Sequence, residues 1–108
     1  MSVLLEFSMF PTSGECREGA SVSKYVSRII DMIDKSGVAY QLTPMGTVIE
    51  TDTMKEALEI IERAYATLEC DCERVYASLK FDIRQGASHR LQRKIASVEE
   101  HLQRKVVT

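Results

Sequence analysis

Val38-Ala39-Tyr40-Gln41-Leu42-Thr43-Pro44-Met45-Gly46-Thr47-Val48-Ile49-Glu50-Thr51 is the stretch on which the fold turns. Val38 to Thr43 suits a short strand, and Thr47 to Thr51 is β-branched apart from Glu50. Between them Pro44 sets φ and Gly46 permits a tight return, so the segment reads as a β-hairpin. A helical pattern lies on either side of it. Upstream, Val22, Tyr25, Val26, Ile29, Ile30 and Ile33 recur at helical spacing, with Ser21 placed to cap the start and Gly37 the end. This predicts a first helix from about Val22 to Ser36. Downstream, Thr53 and Glu56 form a capping box, and Met54, Ala57, Leu58, Ile61, Ala64, Tyr65 and Leu68 mark a second helix.

Beyond the helices the period changes to two. Val3, Leu5, Phe7 and Met9 alternate with Leu4, Glu6, Ser8 and Phe10; in the segment from Arg74 to Ile83, Val75, Ala77, Leu79, Phe81 and Ile83 alternate with Tyr76, Ser78, Lys80 and Asp82. The element order is β-α-β-β-α-β, followed by a third helical stripe on Leu91, Ile95, Val98 and Leu102. That order is the ferredoxin-like α+β arrangement: a four-stranded antiparallel sheet in spatial order 4-1-3-2 with both crossover helices on one face, here with an added C-terminal helix. The other face would carry Leu4, Glu6, Ser8 and Phe10 beside Tyr76, Ser78, Lys80 and Asp82. Strand three is ambiguous, because Val48 and Ile49 are both apolar on opposite faces. A fully solvated face has little use for Leu4, Phe10 and Tyr76, so a second subunit is expected to cover it, and the C-terminal stripe is expected to help that assembly.

At 108 residues the chain fits one domain, 1–108, and its 44% apolar content is enough for a core. A net charge of −2 argues against a nucleic-acid binder. No apolar run approaches the roughly 18 residues of a membrane span. The apolar start, Met1 to Pro11, has no basic leader and is interrupted by Glu6, so it does not read as a signal peptide. Three cysteines do not make a disulfide framework, and a reducing cytoplasm is the expected location.

Four segments together resemble the MTH1187/YkoF-like (UPF0045) thiamine-binding family: Glu6-Phe7-Ser8-Met9-Phe10-Pro11, Ser21-Val22-Ser23-Lys24-Tyr25-Val26, the hairpin from Tyr40 to Glu50, and Ser97-Val98-Glu99-Glu100. The chain departs from the family's usual pattern after Glu50, at Thr51-Asp52-Thr53-Met54. The resemblance implies a ferredoxin-like subunit, dimers and commonly tetramers built through sheets, and binding of thiamine or its pyrimidine portion without catalysis. No cofactor is expected, and thiamine would be a bound ligand.

Thiamine presents a cationic thiazolium and an aminopyrimidine edge, and a site for it calls for a carboxylate, short hydroxyls and apolar or aromatic walls. Glu6 and Ser8, two residues apart on one strand, share a face. Thr47 in the hairpin offers a second hydroxyl, and Phe10 or Tyr76 an aromatic wall. These five are the candidate ligand-binding residues, expected to converge on the open face near the exit of strand one. Each has a plainer reading. Glu6 can pair with Lys80 across neighbouring strands. Thr43, Pro44, Gly46 and Thr47 can serve the turn, Tyr25 the core, and Phe10 and Tyr76 a subunit contact. Cys70-Asp71-Cys72 lacks metal-ligand spacing and reads as a loop. The basic stretch Arg84, His89, Arg90, Arg93 and Lys94 could meet a phosphate, such as that of thiamine phosphate, or RNA; its plainer reading, which is preferred, is a solvated loop and helix surface. Two other functions remain open: a structural or regulatory homo-oligomer without a small ligand, and an enzyme acting on a thiamine precursor with Glu6 as acid or base.

Overall fold

The alternation in the first strand governs the layering. In the computed structural model, which describes residues 1–13 and 22–108, β1 (Ser2–Pro11) buries Val3, Leu5, Phe7 and Met9 and leaves Leu4, Glu6, Ser8 and Phe10 on the other face. The remaining elements are α1 (Ser23–Ser36), β2 (Ala39–Thr43), β3 (Gly46–Thr51), α2 (Met54–Glu69), β4 (Val75–Arg84) and α3 (Arg90–Leu102). The strands form one antiparallel sheet in the order β2-β3-β1-β4, which is the expected 4-1-3-2 arrangement. Ser21, expected to cap α1, and Cys16 lie outside the described residues. No helix among the described residues is long and apolar enough to cross a membrane.

Local chemistry sets the element ends. Gly37 closes α1 at φ 80°, a left-handed position that glycine reaches without strain. Thr53 caps α2 by accepting the Glu56 N–H at 3.1 Å. The Glu56 carboxylate reaches back to the N–H of Asp52, at 3.3 Å, one residue earlier than an ordinary capping box would close.

Tyr25, Ile29 and Ile33 of α1 and Ala57, Ile60, Ala64 and Leu68 of α2 pack on the β1 and β3 row of Val3, Leu5, Phe7 and Ile49. The ambiguity of strand three is resolved by the register: Ile49 lies opposite Leu5 in the core, and Val48 lies opposite Glu6 on the open face. Helical cover does not extend over all of β4 as the alternation suggests. Leu79 and Ile83 remain exposed on the helix side, because α2 packs on β1 and β3 while β4 sits at the sheet edge.

The open face is covered at one end by the chain itself. α3 packs on β1, β2 and β3, opposite to α1 and α2. Its cap is supplied from a distance. His89 makes no side-chain cap; instead the Glu50 carboxylate on β3 accepts from the N–H groups of Arg90 (3.1 Å) and Leu91 (3.2 Å) and from the Ser2 hydroxyl. Arg90 then binds the Ser2 carbonyl (2.9 Å) and hydroxyl (3.0 Å), the Asp82 carbonyl, and the Asp82 carboxylate (3.1 Å). The expectation that a neighbour must bury the whole α3 stripe is corrected here: Leu91 and Ile95 are half-buried on their own sheet, whereas Val98 and Leu102 stay exposed.

Candidate functional site

Strand lengths create a notch beside the hairpin turn. The β1–β3 register runs from Val3 opposite Thr51 to Phe7 opposite Thr47, and β3 begins at Gly46. β1 continues to Pro11 with β4 on one side and no strand on the other among the described residues. The resulting notch is a cavity of about 370 Å³. Ser8, Met9 and Phe10 form one wall, the turn from Thr43 to Thr47 a second, and Val22, just before α1, with Val26 of α1 a third. A larger groove of about 960 Å³ between α1 and the edge strand β2 shares Val22, Val26, Leu42, Thr43 and Pro44 with it, and is bordered by Asp31 and Asp34.

The turn is rigid for identifiable reasons. The Thr43 hydroxyl donates to the Gly46 carbonyl at 2.8 Å and accepts from the N–H groups of Met45 and Gly46 at 3.3 and 3.2 Å. These bonds keep Thr43 occupied within the turn, as its plainer reading has it. At Gly46 a Cβ would lie 2.9 Å from the Phe7 carbonyl oxygen and 3.9 Å from Glu6 Cγ, so only glycine lets β3 approach β1 here.

The five candidate residues divide between the two faces of the sheet. Ser8, Phe10 and Thr47 all line the notch. Glu6 is not among the lining residues; it lies beside them on the open face, its Cγ 3.9 Å from where a Cβ on Gly46 would stand. Tyr76 lies outside the cavity but stacks obliquely on Phe10, with ring centroids 5.8 Å apart. The expected convergence of Glu6, Ser8 and Thr47 on one face does not occur. Thr47 pairs with Phe7 and is buried on the helix side, because side chains alternate and Phe7 is one residue out of phase with Glu6 and Ser8. Tyr25 is a buried core residue, with the Arg28 guanidinium 4.8 Å from its ring centroid.

Glu6 pairs with Lys80 at 3.2 Å, as their register positions dictate. The side chains are 49% and 80% exposed, so the pair contributes little to stability and leaves the carboxylate open to exchange partners. On the neighbouring groove Asp34 accepts from the Tyr40 hydroxyl at 2.9 Å, a bond that pushes the Tyr40 phenol up. Asp31 holds Lys35 at 2.8 Å.

Sequence reasoning passed over several walls: Met45, Leu42, Val22, Val26, Asp31 and Asp34. Met45 is 88% exposed and Leu42 56%. Two large apolar side chains flanking a tight turn, where polar residues are the norm, were the available signal. Nothing in the local pattern marked Glu50, whose carboxylate caps α3 rather than facing a ligand. Burial pushes it up, but the Ser2 hydroxyl, the Arg90 and Leu91 N–H groups and the Arg90 charge outweigh burial and hold it below the usual carboxylate range.

Residues 5–99 match the family described as thiamine-binding protein. A UPF0045 protein of Methanothermobacter thermautotrophicus is 33% identical over 101 residues, covering 93% of this chain and 99% of the relative. The UPF0045 protein Mb1933 of Mycobacterium bovis is 36% identical over 104 residues, covering 96% and 98%. Among solved structures, that of the hypothetical protein MJ1052 from Methanocaldococcus jannaschii superposes with a TM-score of 0.76 at 35% identity, covering 92% of this chain and 97% of that one.

Proposed function

The chain belongs to the thiamine-binding protein family, and we propose that it binds thiamine or a related pyrimidine such as hydroxymethylpyrimidine without transforming it. The observation that carries this reading is the notch at the exit of β1. Its volume of about 370 Å³ falls in the range that holds small ligands. Its walls are mostly apolar and include Ser8 and Thr47, with Glu6 beside Gly46 on the open face and Asp31 and Asp34 on the adjoining groove. A cationic heteroaromatic ring needs this combination: dry walls for the ring, hydroxyls for the pyrimidine edge, and carboxylates within reach of the positive charge. Phe10 and Tyr76 supply an aromatic flank on the open face. The site's groups bind and orient, and the reading assigns no bond-making role to any of them.

The same reading has the chain self-associate as a homodimer or homotetramer in a reducing cytoplasm. Its support is the apolar surface the chain leaves exposed: Tyr76 on the open face, Val98 and Leu102 on α3, and Leu79 and Ile83 on the helix side of β4.

Thermal shift of the purified chain with thiamine, its phosphates and hydroxymethylpyrimidine tests the function, because a ligand of the native state raises the midpoint by mass action. A saturable rise with at least one of them is the expected result. No shift from any of them, with the assembly intact by light scattering, would leave the structural oligomer as the better account. Turnover of any of them would make the protein an enzyme.

A further inference from the structure

At the opposite end of the open face, a cleft of about 570 Å³ lies between the end of β4, the turn that follows it and the first turns of α3. Arg84, Arg90, Arg93 and Lys94 all line it. Arg90 is committed to Ser2 and Asp82, and its side chain is only 11% exposed, so it forms a fixed floor. The side chains of Arg84, Arg93 and Lys94 have no hydrogen-bond or ion-pair partner among the described residues. Asp82 also lines the cleft, 73% exposed, with its carboxylate paired to Arg90; Glu50 nearby is engaged by Ser2 and the N-terminus of α3. Three cations without counter-ions therefore face one concave space in a chain whose net charge is −2.

We infer that this cleft binds the diphosphate group of a small molecule. Two arginines and a lysine around a concavity suit an anion with several terminal oxygens, because guanidinium forks grip phosphate oxygens in pairs and the ammonium adds a point charge. A diphosphate carries more charge and more terminal oxygens than a single phosphate, and so can meet all three groups across a wider space. Gly86, at φ 71° in the turn, and Ser97 complete the walls without adding negative charge. The cations gather around one open cleft rather than along a stripe, which favours a small anion over a nucleic-acid strand. The cleft is not the tail end of the notch. Leu4, at the cleft, and Phe10, at the notch, are six residues apart on β1, about 20 Å at the rise of a strand. The inference stands whether or not thiamine occupies the notch.

The test is calorimetric titration of the full chain at low ionic strength with inorganic pyrophosphate, inorganic phosphate and ADP. Pyrophosphate is expected to saturate one site per chain and to bind at least tenfold more tightly than phosphate. ADP binding alongside it identifies an esterified diphosphate as the natural form; pyrophosphate binding without ADP identifies the free anion. The double variant Arg93→Gln/Lys94→Gln should weaken pyrophosphate at least tenfold while circular dichroism stays unchanged, and Arg84→Gln should weaken it independently. Arg90 is left intact because it holds α3 to the sheet. Any of three results would overturn the inference: no saturable pyrophosphate binding, undiminished binding in the double variant, or preference for a single-stranded RNA oligomer over pyrophosphate at the same salt.

Discussion

Replacing Glu50 by alanine should detach α3 from the sheet while leaving the rest of the fold standing. The carboxylate accepts from the Ser2 hydroxyl and from the Arg90 and Leu91 N–H groups, so three hydrogen bonds to one charge disappear together. A hydrogen bond to a charged group is worth about 1.5–3 kcal/mol net, but this site is half-buried and water replaces part of each. The loss also has a ceiling, since it cannot exceed the free energy with which α3 is docked. That docking rests on Arg90 and on the half-buried Leu91 and Ile95, which contribute about 1 kcal/mol apiece. An expected loss of about 2–3 kcal/mol follows, with Glu50→Gln intermediate because its amide keeps one acceptor. Urea unfolding gives the total, and amide exchange locates it: protection should collapse across Arg90–Leu102 far more than across β1 and β3. Acid supplies a second reading. The Glu50 carboxyl is held low in the folded chain, so its stabilisation is complete above the ordinary carboxylate range and is lost as pH falls through the depressed folded value. The gap between the parent chain and Glu50→Gln should therefore narrow on acidification. If Glu50→Ala unfolds within about 0.3 kcal/mol of the parent, a difference too small for even one lost hydrogen bond, and α3 keeps its protection, the carboxylate is not what pins the helix.

Three further outcomes follow from the geometry. Glu6→Gln should weaken thiamine about tenfold or more, through loss of one charge-assisted hydrogen bond, whereas Lys80→Met should not weaken it, since it frees the carboxylate; calorimetry distinguishes them, and undiminished affinity in Glu6→Gln removes Glu6 from the site. Gly46→Ala drives a Cβ to within 2.9 Å of the Phe7 carbonyl, so chemical denaturation should show a loss of about 1–3 kcal/mol, and an unchanged midpoint would mean the turn relaxes freely. Leu102→Asp puts a charge on the exposed end of the α3 stripe and should shift the self-associated species towards monomer in sedimentation at micromolar concentration; an unchanged assembly would take α3 out of the interface.

The strand faces and their order were legible because period-two alternation in Val3–Met9 and the hairpin between two helices leave few topologies. The site was less legible, and Thr47 shows why. Hairpin membership placed it near strand one correctly, but its face depends on pairing with Phe7 rather than with Glu6, a one-residue difference that no local pattern reports. Glu50 failed differently. Its partners are Ser2, 48 residues away, and the backbone of Arg90 and Leu91, 40 and 41 residues away. A cap supplied across the sheet leaves no mark beside the helix, where the N-terminal position is held by His89. The Glu6–Lys80 pair, by contrast, was readable because both residues lie in long strands whose adjacency the topology already required.

Pinning α3 by its first turn has a consequence for the whole open face. At 13 residues the helix is about 20 Å long. Leu4 and Phe10 are about as far apart along β1. Laid along that strand, α3 would cover Ser8, Phe10 and the flank of the notch. It does not, because Glu50 and Arg90 fix its start over Ser2 and Asp82, and Leu91 and Ile95 then settle near Ala39 and Gln41 on the edge strand β2. The helix thus sits with Arg93, Lys94 and Ser97 towards Leu4 and Asp82 on one side and Leu91 and Ile95 towards β2 on the other. Its anchoring decides which half of the face stays accessible: the half with Phe10, Tyr76 and the carboxylate of Glu6, where a ligand or a second copy has room to dock.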